Sequence, residues 1–273
     1  MLGLMPSNAV VENLFSKRDF QWSFRMRMGN QNDFFSWKDP KGAILREKRH
    51  WLQLHPELCI AQSTQAESLI RETWDLARQL GFDASRRTQE DALLDLATIW
   101  EPDILLMDRS TMSLAAGCVC FPSSWNLQES IGKPVHQIHD LVPDLNPSIG
   151  ERIKRFLEGL QPGRAFCREN WSLTRSDERN YHPRLKRQKL DETVTLDELH
   201  LRLEHQLFTA LPSGVLMGIR ISTIPLPALS EQREEWNNLK EKIRTMPPEV
   251  ARYKSMEKAQ LTIQRIMNSV RCD

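Results

Sequence analysis

Residues 113–171 read SLAAGCVCFPSSWNLQESIGKPVHQIHDLVPDLNPSIGERIKRFLEGLQPGRAFCRENW, and the order of elements inside this stretch decides the fold. An apolar run over 114–121 has strand character, and a Pro-rich turn follows it. The spacing of Ile149, Ile153, Phe156, Leu157 and Leu160 then predicts a helix over 147–160, before a second strand over 164–173. Upstream, Ile104–Met107 is a further apolar run, and the polar residues 108–113 would fold it back as a hairpin on 114–121. Downstream, Leu199, Leu201 and Leu203 alternate with His200, Arg202 and Glu204 in a strand over 198–208. Pro212, Ser213 and Gly214 turn that strand into another over 215–225. The sum is about five strands joined as hairpins with helices before, between and after them, an α+β plan and not an alternating βαβ one.

Helical periodicity fills the flanks. Ile44, Leu45, Lys48, Trp51 and Leu52 mark a helix over 40–54, and Ala66, Leu69, Ile70, Trp74, Ala77 and Leu80 mark another over 64–80 that stops at Gly81. A third over 90–100 ends before Pro102, and two more, 230–246 and 253–270, flank Pro247 and Pro248. The chain divides into an N-terminal arm 1–36, a main domain 37–225 and a C-terminal helical extension 226–273 packed on it. Residues 176–193 are charged and without periodicity, which predicts an exposed loop; Arg184, Lys186, Arg187 and Lys189 there suit an acidic partner, a solvated insertion being the plainer reading.

Composition narrows the function. Lys and Arg number 37 against 36 Asp and Glu among 273 residues, so the overall charge does not describe a nucleic-acid-binding protein. Five cysteines at irregular spacing do not outline a disulfide framework and fit a reducing, cytoplasmic setting. The first residues lack the charged start and apolar run of a secretory signal, and no apolar stretch approaches the ~20 residues of a membrane span. Dinucleotide, P-loop and nucleophile-elbow patterns (GxGxxG, GxxxxGK[ST], GxSxG) are absent.

Three groups of residues can carry chemistry. His136 and His139 share a helical face between Pro134 and Pro143, and neutral imidazole is a common ligand for iron or zinc. Arg202 and Glu204 share a strand face, and Arg220 on the next strand is expected to join them, flanking one carboxylate with two guanidiniums. Asn170 and Trp171 offer an amide that orients a neighbour and an indole for a pocket wall. Cys118, Cys120 and Cys167 lack the usual zinc spacing and read as buried thiols.

Four blocks, AGCVCFPSSW, GKPVHQIHDLVP, CRENWSL and LRLEHQLFTALPSGVLMGIRIS, in this order and spacing resemble the haem-dependent oxidative N-demethylases. A weaker likeness extends to DPKGAILREKRHWL, so that the resemblance covers roughly 37–253. It implies a PAS-like fold of about five antiparallel strands, a haem b held by His139 with His136 as the competing ligand, and demethylation of a small secondary amine with O2 and release of formaldehyde. Electrons would come from a separate reductase carrying flavin or an iron–sulfur cluster. Trp125, Trp171, Phe121, Ile131, Ile138 and Leu141 would then line the haem slot, and Arg168, Lys133 or Arg152 would meet its propionates. Glu204, Arg202 and Arg220 would place the amine and manage protons. Where the family reads Glu-Arg-Gln, this chain has Glu204, His205 and Gln206. A haem-based sensor, or a small-molecule-binding protein without haem, are the alternatives; neither nucleic acid nor membrane is an expected partner.

Overall fold

A computed structural model describes residue 11, residues 14–15, 18–83, 85 and 92–270. Fourteen residues of the expected arm (1–10, 12–13 and 16–17) therefore lie outside the described residues, as do the first two residues of the 90–100 helix and Cys272.

Seven strands form one antiparallel sheet in the order β1-β5-β6-β7-β3-β4-β2. They are β1 Arg27–Met28, β2 Ile60–Gln62, β3 Asp103–Asp108, β4 Leu114–Cys118, β5 Ala165–Thr174, β6 His200–Ala210 and β7 Gly214–Pro225. The α+β plan stands, and the β3–β4 and β6–β7 pairings match the hairpins read from the sequence. The sheet exceeds the expected five strands because β1 and β2 span only two and three residues, too few for alternation to show. β4 also stops at Cys118, since the Val119 amide donates to Cys59 O and the Phe121 amide to the Asp103 carboxylate. At the β6–β7 turn Gly214 is required: a Cβ there would lie 2.1 Å from Met107 O.

Three apolar clusters hold the layers together. The helices Glu67–Gln79 and Ala92–Ile99 bury Leu69, Trp74 and Leu96 against Leu207 and Leu216 of the sheet. The helices Arg233–Thr245, Pro248–Tyr253 and Gln260–Ser269 bury Trp236, Val250 and Ile263 against Trp171, Leu201 and Leu203, and Phe15 joins them. The helix Glu151–Gly159 buries Ile153 and Leu157 against Met107, Phe208 and Val215. The expected single helix over 253–270 is broken, because Ser255 sits at φ 56° and the chain re-enters helix only at Gln260.

Residues 176–193 are not the free insertion that their composition suggested. Asn180, His182 and Leu190 are buried, Arg179 pairs with Glu47 at 2.7 Å, and Arg187 pairs with Glu178 at 2.5 Å. The loop supplies an acceptor, Arg179 O, to the buried Arg202. That requirement comes from another strand, which local composition does not register. Arg184, Lys186 and Lys189 remain exposed on it.

Candidate functional site

His139 ends the short helix Val135–His139, which Pro134 starts. The segment around it is tied down on several sides. Val135 N donates to Met112 O at 3.0 Å and Leu114 N to Lys133 O at 3.0 Å, which ties its start to the foot of β4. Beyond the helix, Trp22 Nε1 donates to Pro143 O at 2.8 Å, and Asn146 Nδ2 donates to His136 O at 2.8 Å. His139 is half-buried. Burial first, and then the positive charge of Arg168, pull its pKa down to about 4 against the opposing pull of Asp140, so the ring is neutral at neutral pH and keeps a lone pair for a metal. His136, one turn earlier, is exposed.

Trp125, Ile131, Ile138, Val142, Phe156, Phe166 and Met217 are half-buried against the third cluster, and Ile138 and Val142 flank His139 in the chain. Of the other apolar residues expected there, Phe121 is buried in the first cluster and Leu141 is 78% exposed. Lys133 and Arg152 are exposed as well.

A polar row crosses the neighbouring face of the sheet. The β5–β6 register sets Arg168 opposite Gln206 and Asn170 opposite Glu204, and strand alternation puts Arg202 on the same face as Glu204. The Glu204 carboxylate accepts hydrogen bonds from Ser123 Oγ, from Gln206 Nε2 at 3.0 Å and from Asn170 Nδ2 at 3.4 Å. Ser123 is itself held, since Arg202 Nε donates to its Oγ at 3.0 Å. Arg202, 1% exposed, also donates through Nη1 to Arg179 O at 2.8 Å and through Nη2 to Phe121 O at 2.7 Å. It is a clamp on two loops, and its link to the carboxylate runs through Ser123.

Arg168 differs from it. Its Nε is buried with no hydrogen-bond partner, and it joins none of the ion pairs among the described residues. Lys254 stands nearby, its ammonium donating to Trp171 O at 2.6 Å and lying over the Trp22 and Trp171 rings. Burial lowers the Lys254 pKa to about 8, opposed by Glu204 and reinforced by Arg168.

Two expected members are elsewhere. Arg220 pairs in register with His205, not Glu204, so its side chain leaves the opposite face and binds Glu101 at 2.5 Å, Phe34 O and Ser36 O. A one-residue difference in register exchanges the faces of a strand, and neither strand's own sequence fixes that register. Trp171, adjacent to Asn170 on β5, likewise points the other way, its ring against Phe15. Sequence reasoning passed over Ser123, Gln206 and Lys254. Gln206 follows Glu204 by one strand period and was findable; Ser123 and Lys254 arrive from a loop and a helix end whose proximity only the fold creates. Two pockets, of about 440 Å³ beside Trp37 and Phe82 and about 410 Å³ beside Arg18 and Arg233, lie apart from this row.

A family model described as "Haem-dependent oxidative N-demethylase, alpha subunit-like" matches residues 45–264, most of the chain. No curated protein matches it. The matched span contains His139, Arg168, Glu204 and Lys254 and leaves out Trp22. The residues present fit a haem in the chemistry of their donors. A neutral imidazole lies on a segment whose Ile138 and Val142 are half-buried against the third cluster, and a buried guanidinium nitrogen of Arg168, which acts on that imidazole, lacks the partner that a propionate would provide.

Proposed function

We propose, for a chain that belongs to the haem-dependent oxidative N-demethylase alpha-subunit-like family, that it holds haem b through His139 and oxidatively demethylates a small secondary amine, releasing formaldehyde. The observation that carries this reading is the half-buried, neutral His139 within electrostatic reach of Arg168, which shares a sheet face with Asn170, Glu204 and Gln206. When bound, the haem supplies the redox chemistry that turns O2 and electrons from a separate flavin or iron–sulfur reductase against the methyl group. The protein's part is acid–base and positional. Ser123, Gln206 and Asn170 point three donors at Glu204, which fixes its carboxylate as an acceptor for the ammonium of the amine. The same carboxylate can take the amine's proton and leave the nitrogen lone pair free. Arg202 positions Ser123 for that task. The antiparallel sheet between helical layers is in keeping with a PAS-like core enlarged by added helices.

Titration of the purified protein with haem tests the reading. Wild type and His136→Ala are expected to develop a Soret band that His139→Ala lacks or shows shifted, and wild type with dimethylamine, O2 and a reductant is expected to release formaldehyde. A band without formaldehyde would point to a sensor. No band in wild type, or one indifferent to His139→Ala, would overturn the haem assignment.

A further inference from the structure

Three cations act electrostatically on the one carboxylate of the polar row: Arg168, Arg202 and Lys254 each feel Glu204. Arg168 also feels Glu169 and Arg202 also feels Asp103, so what tells the cations apart is their hydrogen bonding and not a net excess of charge. Two of the three cations are satisfied. Arg202 has three acceptors, and Lys254 has a carbonyl and two indole faces. Arg168 has neither. It lies diagonally across the β5–β6 register from Glu204, at a backbone spacing of about 7–8 Å that both side chains can bridge. No ion pair joins them, because Ser123, Gln206 and Asn170 already hold Glu204. The Nε of Arg168 is buried without a hydrogen-bond partner, and burial pulls the pKa down while Glu204 and Glu169 pull it up from a distance, so an anion in direct contact would recover part of the cost of burial.

We infer that Arg168 is the anchor of a carboxylate subsite, so that the face it shares with Glu204 takes a ligand carboxylate at one end and an ammonium at the other. Carboxylates of two origins share this chemistry. One is a propionate of the porphyrin. The other is the substrate's own carboxylate, in which case the substrate is an N-methylated amino acid whose carboxylate meets Arg168 while its methylammonium meets Glu204. Planar, bidentate recognition of a carboxylate is the task for which guanidinium is suited and ammonium is not. This inference rests on the proposed haem-and-amine reading of the site for the identity of its ligands, and on Arg168 alone for the carboxylate preference.

Wild type, Arg168→Leu and Arg168→Lys separate the outcomes by binding and stability, without turnover. The first arm compares haem with its dimethyl ester by absorbance titration; the second compares N-methylglycine with dimethylamine by calorimetry, on both the haem-free and the haem-loaded protein. Wild type is expected to favour the carboxylate-bearing member of at least one pair by tenfold or more. R168L should abolish that preference while leaving binding of the ester or of dimethylamine within about twofold, and R168K should restore only part of it. A preference confined to haem assigns the subsite to a propionate, and one confined to N-methylglycine assigns it to the substrate. Because the Arg168 Nε is buried without a partner, R168L should also hold or raise the urea midpoint of the ligand-free protein. The inference is overturned by preferences that R168L leaves intact, by their absence in wild type, or by a clear fall in the R168L midpoint. Should haem bind through His139 without any such preference, only this inference falls; should N-methylglycine bind through Arg168 without haem binding, the haem reading falls and the subsite stands.

Discussion

Replacing Arg202 by methionine separates a clamp from a substrate contact. The side chain is 1% exposed and donates to Ser123 Oγ, Arg179 O and Phe121 O at 2.7–3.0 Å. Methionine fills similar volume but strands one buried and one partly buried carbonyl and frees Ser123. A hydrogen bond to a charged group contributes about 1.5–3 kcal/mol, and each stranded acceptor costs about 1–3 kcal/mol. Relief from burying the guanidinium charge offsets part of this, since desolvation already depresses its pKa. The net expectation is a loss of about 3–5 kcal/mol, from two carbonyls left without their charged donor and a freed Ser123. With a urea dependence near the upper end of the small-protein range, ~3 kcal/mol per M, the unfolding midpoint should fall by about 1–1.7 M. Eight tryptophans make fluorescence a suitable probe. Because Ser123 is no longer held against Glu204, amine KM should rise in R202M at low urea while the haem spectrum is unchanged. A midpoint shift under about 0.3 M, or a lost Soret band with unchanged amine affinity, would refute the clamp.

Two further outcomes follow from buried charges. Lys48 and Asp103 pair at 3.3 Å in the interior, with Lys48 also donating to Trp100 O and Pro102 O; Lys48→Met alone should cost about 3–5 kcal/mol in urea unfolding, and the double change with Asp103→Leu should recover at least half of it, so equal losses would count against an uncompensated Asp103 as the cause. Lys254 titrates near 8 in the folded chain against an ordinary 10.5. Above 10.5 both states are neutral; below it the unfolded chain takes its proton first, so stability falls as pH drops from 10.5 to about 8 and the penalty is constant below that. At 1.36 kcal/mol per pH step the full change is at most roughly 3 kcal/mol, and the stability difference between wild type and Lys254→Met should drift by that order across the window. A flat difference would contradict it.

Much of the fold was legible because its main elements are long and periodic. The alternation of Leu199, Leu201 and Leu203 against Arg202 and Glu204, and the repeats of the 43–54 and 67–79 helices, are each written within one element. β1 and β2 were invisible because two or three residues carry no period. His139 could be singled out by its bracketing prolines and its family block, and Glu204 by alternation. The company they keep could not be read.

The sequence by itself determined which residues alternate on β6, where the chain must turn, that its charges nearly balance, and which family it resembles, since each of these is a property of neighbours along the chain. Tertiary structure alone decided that Arg220 turns away from Glu204, that Ser123, 81 residues distant, meets that carboxylate, that the 176–193 loop caps Arg202, and that the Nε of Arg168 is buried without a hydrogen-bond partner. The physical reason is that register and packing set which face and which dielectric a side chain meets, and the energy of a charge depends on those surroundings far more than on the residues beside it in the chain.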